Sequence, residues 1–199
     1  QHGVCQWASC GEELAEAGIE VLQGPSGVGR VHASGWVDVP ALLDGMERHF
    51  SDQGLLQDRT WSVKDGLPEG ADAVVDCRGV GAAEELAQVG VTVNPNHGDV
   101  LTLSTPLTGP GALDTAGHTV NNGKWLLPTE VKEGRQWWRL GATYSWHRLK
   151  PTPNAMAADE LRDHMTKALD EEGAEALRSA QLEAHQAGLR PASPDRRPT

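Results

Sequence analysis

The 199-residue chain is poor in several features that each define a class of protein. It has only three cysteines and no CxxC pair, which disfavours a disulfide framework and fits a reducing cytoplasm. No apolar run reaches the 18 residues that a transmembrane helix needs, so we expect no membrane-spanning segment. No apolar leader is visible at the start, and we therefore expect a cytoplasmic protein.

Basic residues are also scarce. The chain has 17 Lys and Arg against 28 Asp and Glu, a formal net charge of −11. A field of that sign repels phosphate backbones, so the charge argues against a nucleic-acid partner. The 23 glycines and 12 prolines fall short of a low-complexity composition, which predicts a globular chain of one domain or one and a half. The sequence leaves the oligomeric state open.

Short catalytic motifs are missing as well. The eight histidines show no HExxH or HxH spacing, and no GxSxG elbow occurs, so we predict no metal site and no catalytic nucleophile. Cys77 ends an expected buried strand, where a cysteine is usually a small core residue. Gly79 and Gly81 match two of the three glycines of a dinucleotide fingerprint, with Glu84 at the third position. A simple tight turn is the alternative interpretation.

Several elements are predictable from periodicity and capping. Asp38 and Pro40 predict a helix start, followed by an apolar stripe and a stop near Gly54. Residues 71–77 predict a buried strand, and 82–89 a small helix. Residues 99–104 alternate like a strand. Further strands flank an Asn122-Gly123 hairpin turn and cover 137–144, which together predict an antiparallel meander.

The C-terminal part predicts helices and a final loop. Residues 154–170 form the best helical pattern, with one side lined by Met156, Leu161, Met165 and Leu169. Residues 175–186 continue it or form another helix, and the last 12 residues predict a loop. Arg190 would sit there between a glycine and a proline, in a position suited to binding a carboxylate. Pairing of Arg190 with a neighbouring acidic residue is the equally open alternative.

Five short motifs, two of them in two parts, match the sequence patterns of one protein family. In chain order they are GWVDVPALL at 35–43, ADAVVDCRG at 71–79, NPNHGDVL at 94–101, WLLP at 125–128 with LGAT at 140–143, and AGLRP at 187–191 with DRRP at 195–198. Together they resemble the D-amino acid oxidase-like FAD-dependent oxidoreductases, a family that includes glycine oxidase and sarcosine oxidase. Five matches in the right order point to the family but not to one member.

The resemblance implies a fold with α+β and α/β parts. One part is an antiparallel-sheet substrate domain with helices, and the other is an incomplete Rossmann-like FAD domain. The implied FAD-binding domain covers residues 31–88 and 186–199. The implied substrate-binding domain covers 1–30 and 91–185 and contains the sheet and the helix at 154–170.

The resemblance also implies roles for individual residues. Arg190 matches the family arginine that binds the substrate carboxylate, and Trp125 stands where glycine oxidase has an active-site tyrosine. Val63 and Gly79 fall near positions that line the adenine end of FAD. His97 replaces the arginine usual in the family, and Trp125 lacks the tyrosine hydroxyl, so the match leaves the substrate open. We identify no catalytic side chain.

The function that the resemblance implies is oxidation of the C–N bond of an amino acid or related amine, by hydride transfer to FAD. The family's N-terminal GxGxxG and its C-terminal flavin-covering segment are not in the sequence. We therefore expect an internal fragment that is inactive alone. One alternative is a non-catalytic remnant or isolated substrate-domain module. Another is a tRNA-modifying flavoenzyme of the same superfamily, against which the charge argues.

Overall fold

The computed structural model describes residues 19–22, 28–31, 35–146 and 148–193. These residues fall into two compact units, Gln1–Gln57 and Asp58–Thr199. The last part of the family resemblance, at 195–198, lies outside the described residues. No helix in the described ranges is long and apolar enough to cross a membrane.

The described residues of the first unit form a hairpin and one helix. Strands β1 (Ile19–Leu22) and β2 (Val28–Val31) pair antiparallel, and helix α1 spans Val39–Asp52. The predicted helix start is confirmed, because the Asp38 side chain accepts a hydrogen bond from the Ala41 amide at 3.1 Å. The helix ends just before Gly54, as predicted. Its apolar stripe stays exposed, at Leu42, Leu43, Met46 and Phe50.

The second unit is built on a five-stranded antiparallel sheet. Its strands are β3 (Asn94–Pro106), β4 (Val120–Asn121), β5 (Trp125–Lys132), β6 (Arg135–Gly141) and β7 (Gln181–Ala192), in the order β4-β5-β6-β3-β7. The predicted meander and the α+β fold class are therefore confirmed. The turn at Asn122-Gly123 is also present, but Asn121 pairs with Trp125, so the loop has three residues instead of two.

Helices cover one face of this sheet and close the core. Helix α3 spans Ala155–Met165, a 3₁₀ turn covers Thr166–Ala168, and α4 spans Glu171–Ser179. Buried apolar side chains from the sheet meet buried side chains from both helices, in a cluster that includes Leu101, Leu103, Leu126, Trp138, Leu140, Leu161, Met165 and Leu177. This cluster fixes which face of the sheet is the inner one.

The predicted apolar side of α3 was wrong at one position. Ala157, Leu161 and Met165 are buried at fourfold spacing, whereas Met156 is 78% exposed. One residue along a helix is a rotation of about 100°, so a stripe through Ala157 turns Met156 away from the sheet. A helix was predicted over 154–170; it forms from Ala155, after an N-cap at Asn154, and ends at Met165 before a 3₁₀ turn.

Two further predictions of secondary structure were wrong. Residues 71–77 form no strand and precede a 3₁₀ turn (Gly79–Ala82) and the short helix α2 (Ala83–Gln88). The helix predicted for 175–186 ends at Ser179, and residues 188–192, predicted as loop, continue strand β7. The cause is tertiary, because β3 offers a partner along the whole of β7 and long-range pairing overrides local propensity.

The predicted division into an FAD domain and a substrate domain stays a prediction. The two compact units divide between Gln57 and Asp58. Strand β7 also runs through the predicted boundary at residue 186 while remaining paired with β3. The predicted substrate-domain sheet therefore includes the segment that carries Arg190.

Candidate functional site

The face of the sheet opposite helices α3 and α4 carries both predicted substrate-binding residues. Trp125 pairs with Gly141, which pairs with Val100 on β3, and Asn96 pairs with Arg190. Directly opposed residues of neighbouring strands point to the same face, and successive residues alternate. Since Leu101 points into the helix-covered core, this whole set points the other way. The structure thus brings Arg190 and Trp125 to one face.

Arg190 is held against the sheet by several contacts. Its Nη1 donates to Asn96 Oδ1 at 3.1 Å and to the Thr143 carbonyl at 3.2 Å. The guanidinium carbon lies 4.5 Å from the centroid of the Tyr144 ring, a cation–π distance. The guanidinium also lies directly across Gly98, where a Cβ would overlap it. These contacts fix the orientation of the group on a strand instead of on the predicted loop.

The charge of Arg190 has no ionic partner in the part of the chain that the structure describes. No described carboxylate lies within 4.0 Å of its nitrogens, and no described residue accepts a hydrogen bond from its Nη2 or Nε. The alternative of an Arg190 paired with a neighbouring acid therefore finds no support in these residues. A guanidinium with one edge held and another edge free has the geometry to bind a carboxylate.

Trp125 is placed in a similar way. Its indole lies flat across Gly141 of the neighbouring strand, where a Cβ would stand 2.5 Å from Cζ2. Both planar side chains therefore cross a strand at a glycine. The sequence alone does not mark Gly98 or Gly141 as glycines that a planar side chain crosses. This role becomes visible only when the strand register sets Trp125 beside Gly141 and brings Arg190 over β3.

A buried polar cluster lies behind this face, around the almost fully buried Asp99. Its carboxylate accepts hydrogen bonds from the Asn154 amide at 2.8 Å and from the Thr143 hydroxyl at 2.8 Å, and its Oδ1 lies 3.0 Å from His185 Nε2. Burial alone raises the pKa of Asp99, but these hydrogen bonds outweigh burial and the net pKa is lowered. The cluster fixes Thr143, whose carbonyl holds Arg190.

His97 belongs to the same cluster. It is fully buried, and its Nε2 lies 3.0 Å from the Thr152 carbonyl oxygen. Its Nδ1 stands 3.4 Å from Asp99 Oδ2, yet the geometry is not that of a hydrogen bond. His97, where the sequence resemblance implies an arginine, thus packs inside this unit.

The predicted cofactor-binding residues Val63 and Gly79 are placed by contacts of their own. The Val63 amide donates to Glu85 Oε2 at 3.1 Å, and Arg78 binds the same carboxylate. The Arg78 side chain is the main cause that lowers the pKa of Glu85 to about 2, and the Val63 amide adds to it. Gly79 is closer to the site, since a Cβ on it would stand 3.5 Å from Cγ of Pro191, the residue after Arg190.

The described residues do not form an FAD cradle on their own. Such a cradle needs a strand, a glycine turn and a helix whose first amides face the pyrophosphate. Residues 71–77 form no strand, and Gly79 begins a 3₁₀ turn, which favours the tight-turn interpretation of Gly79 and Gly81. The amide of Val63 is also already bonded to Glu85. The described residues therefore do not form a binding site for the pyrophosphate of FAD by themselves.

The described residues contain no cluster of metal ligands, and their free cysteine, Cys77, is exposed. In the ranges that the structure describes, no group of three or more His, Cys, Asp or Glu residues is arranged to hold a metal ion. Cys77 was predicted to be a core residue at the end of a buried strand. That prediction was wrong, because the strand is not formed and Cys77 is exposed as a free thiol.

An α+β domain with a guanidinium on one sheet face that pairs with no described carboxylate is, by its chemistry, suited to binding a small carboxylate. The sequence matches the family model of the DAO family, described as FAD dependent oxidoreductase, over residues 2–199. The chain therefore belongs to this family, and the predicted resemblance is confirmed. No curated protein matches the sequence significantly.

Solved structures with a related fold include glycine oxidase from Geobacillus kaustophilus. It is 24% identical, with a TM-score of 0.44, and the match covers 64% of this chain and 32% of that one. Iminodiacetate oxidase from Chelativorans sp. BNC1 is 24% identical with a TM-score of 0.46, over 65% of this chain and 33% of that one. Glycine oxidase from Bacillus cereus ATCC 14579 is 20% identical with a TM-score of 0.42, over 60% and 30%. The matched part thus spans about a third of each of these structures.

Proposed function

We propose that this chain forms the substrate side of an FAD-dependent oxidoreductase that oxidises the C–N bond of an amino acid or related amine. The observation that carries the proposal is the Arg190 guanidinium, which is oriented on one sheet face and has no acidic partner among the described residues. Family membership supports FAD as the cofactor of the complete protein. Its chemistry would be hydride acceptance from the substrate.

Arg190 binds the substrate carboxylate in this proposal. The free edge of the guanidinium donates two parallel hydrogen bonds to the two carboxylate oxygens, which fixes both the position and the rotation of the substrate. Trp125 then forms an apolar wall on the same face. It offers no hydroxyl, so its contact is limited to packing and to its indole N–H.

Val63 and Gly79 are the residues that we propose for the adenine end of the cofactor. In the same proposal, residues 31–88 and 186–199 contribute to the FAD domain, and residues 1–30 and 91–185 to the substrate domain. The first contact needs the Val63 amide to exchange its bond to Glu85 for one to the cofactor. The cytoplasmic location stays a prediction from the sequence.

The test uses the flavin-loaded protein that contains this chain. We expect oxidation of small amino acids with a KM that Arg190→Ala raises about a hundredfold, since charge-assisted bidentate bonds to a partly buried carboxylate contribute about 2–4 kcal/mol. The matched control is Arg178→Ala, an exposed arginine of α4 whose ion pair is with Glu175. An unchanged KM in Arg190→Ala would contradict the carboxylate role.

A second candidate is a non-catalytic module that binds a small carboxylate without a flavin. The observation that favours it is the missing FAD cradle among the described residues. The visible absorption spectrum of the purified protein distinguishes the two candidate functions. Purified protein that shows the visible absorption bands of a bound flavin supports the oxidoreductase, whereas protein that binds carboxylates and stays colourless after incubation with FAD supports the module.

A further inference from the structure

Every contact that holds Arg190 in the described structure is electrically neutral. Nη1 donates to an amide oxygen of Asn96 and a backbone oxygen of Thr143, and the guanidinium packs on the ring of Tyr144. Surface arginines commonly pair with carboxylates, and this chain has 28 acidic residues against 17 basic ones. A cation held only by neutral groups keeps its full charge for a ligand.

Asn96 is the contact whose chemistry is most informative. It is only 3% exposed, and its Oδ1 accepts the 3.1 Å bond from Arg190. Its Nδ2 is buried and has no hydrogen-bond partner among the described residues. An unsatisfied buried amide is unfavourable and uncommon, so its presence calls for an explanation.

A comparison with aspartate, which has the same shape as asparagine, shows what the amide of Asn96 contributes. An aspartate at position 96 would place a carboxylate against Nη1 in the same geometry and would leave no orphaned N–H. It would also form an ion pair with Arg190 and occupy the charge that the substrate needs. An aliphatic residue would avoid the orphaned N–H too, but it would leave Nη1 with one acceptor less.

We propose that Asn96 is a positioning residue that makes the site selective for carboxylates, because it orients Arg190 through a neutral acceptor and leaves the guanidinium charge unpaired. The proposal rests on the proposed role of Arg190 as the carboxylate-binding residue. Asn96 does not touch the substrate, since its side-chain amide is buried beside Arg190. Its effect reaches the ligand only through the guanidinium.

The test measures acetate binding to the 199-residue chain by NMR, which needs no flavin. Acetate is titrated at constant ionic strength against chloride, and the shift of the Arg190 Nε–Hε resonance gives the dissociation constant. We expect Asn96→Asp to weaken acetate binding about tenfold or more, because the introduced carboxylate competes for the same cation. Asn96→Ala removes the acceptor without adding charge. It should broaden the guanidinium resonances and weaken acetate binding only about threefold, since one neutral hydrogen bond of modest strength is lost.

Gln181→Glu is the matched control. It makes the same amide-to-acid change on an exposed residue at the far end of β7, nine residues and about 30 Å from Arg190 along the strand, beyond the Debye length at physiological salt. Its acetate affinity should equal that of the wild type. Urea unfolding midpoints of all four proteins establish that each is folded.

The outcomes separate the two proposals. If wild-type chain shows no saturable response of Arg190 to acetate, the proposed carboxylate site itself is wrong. If the wild type responds and Asn96→Asp binds acetate equally well, the role of Asn96 is wrong. The role is also wrong if Asn96→Ala loses as much affinity as Asn96→Asp, since charge would then make no difference.

Discussion

Replacement of Gly98 by alanine is the change that acts most directly on the site. A Cβ at this position would occupy the space of the Arg190 guanidinium, with the ζ carbon and both η nitrogens in conflict. The strand cannot move easily, because Gly98 is paired on one side with Gly188 of β7 and its neighbour Asp99 is fixed by the buried polar cluster. The guanidinium must therefore leave its place.

The magnitude follows from the contacts that Arg190 would lose. Its two hydrogen bonds contribute about 1 kcal/mol each, and the cation–π contact with exposed Tyr144 about 0.5–1 kcal/mol. We expect Gly98→Ala to lower the free energy of unfolding by about 2–3 kcal/mol. Acetate binding should weaken at least about tenfold, since the cation is no longer oriented. Urea unfolding and the NMR titration measure the two effects.

Gly188→Ala is the matched control for this change. Gly188 is the cross-strand partner of Gly98, and a Cβ on it would meet no atom within 4 Å. The control should be neutral or more stable by up to about 1 kcal/mol, because alanine reduces the entropy of the unfolded chain. A Gly98→Ala protein with wild-type stability and wild-type acetate affinity would refute the described position of Arg190.

Three other predictions test the surrounding structure. Gly141→Ala should displace the Trp125 indole, shift tryptophan emission to longer wavelength and cost about 1–3 kcal/mol of unfolding free energy; an unchanged spectrum and stability would contradict the contact. Asp99 has a lowered pKa in the folded state, so its stabilising contribution should be complete above pH about 4 and be lost as the pH falls through the folded-state pKa. Asp99→Asn should remove that acid-dependent loss in urea titrations between pH 2 and pH 6, and an identical pH profile would argue against the buried cluster. Leu161→Ala should cost about 2–5 kcal/mol whereas Met156→Ala should stay within about 0.5 kcal/mol, and equal costs would mean that α3 has another rotation.

Local signals predicted the elements that local chemistry determines. The cap at Asp38 and the turn at Asn122-Gly123 each depend on residues within a few positions, and both are present, the turn with one residue more than predicted. The antiparallel sheet was also predictable, because its tight turns connect neighbouring strands. These features need no knowledge of distant contacts.

Distant contacts explain what the sequence did not predict. Residues 188–192 carry Gly, Pro and Arg, which favour a loop locally, yet β3 pairs with them throughout. Residues 71–77 are apolar and β-branched, yet no described strand pairs with them. For residues 188–192 the partner strand decides, and a partner 90 or more residues away in the chain leaves no local pattern.

In the candidate site, some residues were predictable from the sequence and others were not. Family resemblance selected Arg190 and Trp125, and the structure sets them on one face. The sequence did not single out Gly98, Gly141 or Asn96 as supports for these side chains, because their importance depends on cross-strand register. Sequence motifs therefore identified the groups that would face the ligand but not the residues that orient them.

We propose that Arg190 binds a carboxylate on the face of the sheet opposite the helices. This role is tested by comparing acetate binding by wild type and Arg190→Met, followed by NMR at the backbone amide of Gly98, which lies under the guanidinium. We expect a saturable shift in the wild type that disappears in Arg190→Met. Equal saturable shifts in the two proteins, or none in the wild type, would contradict it.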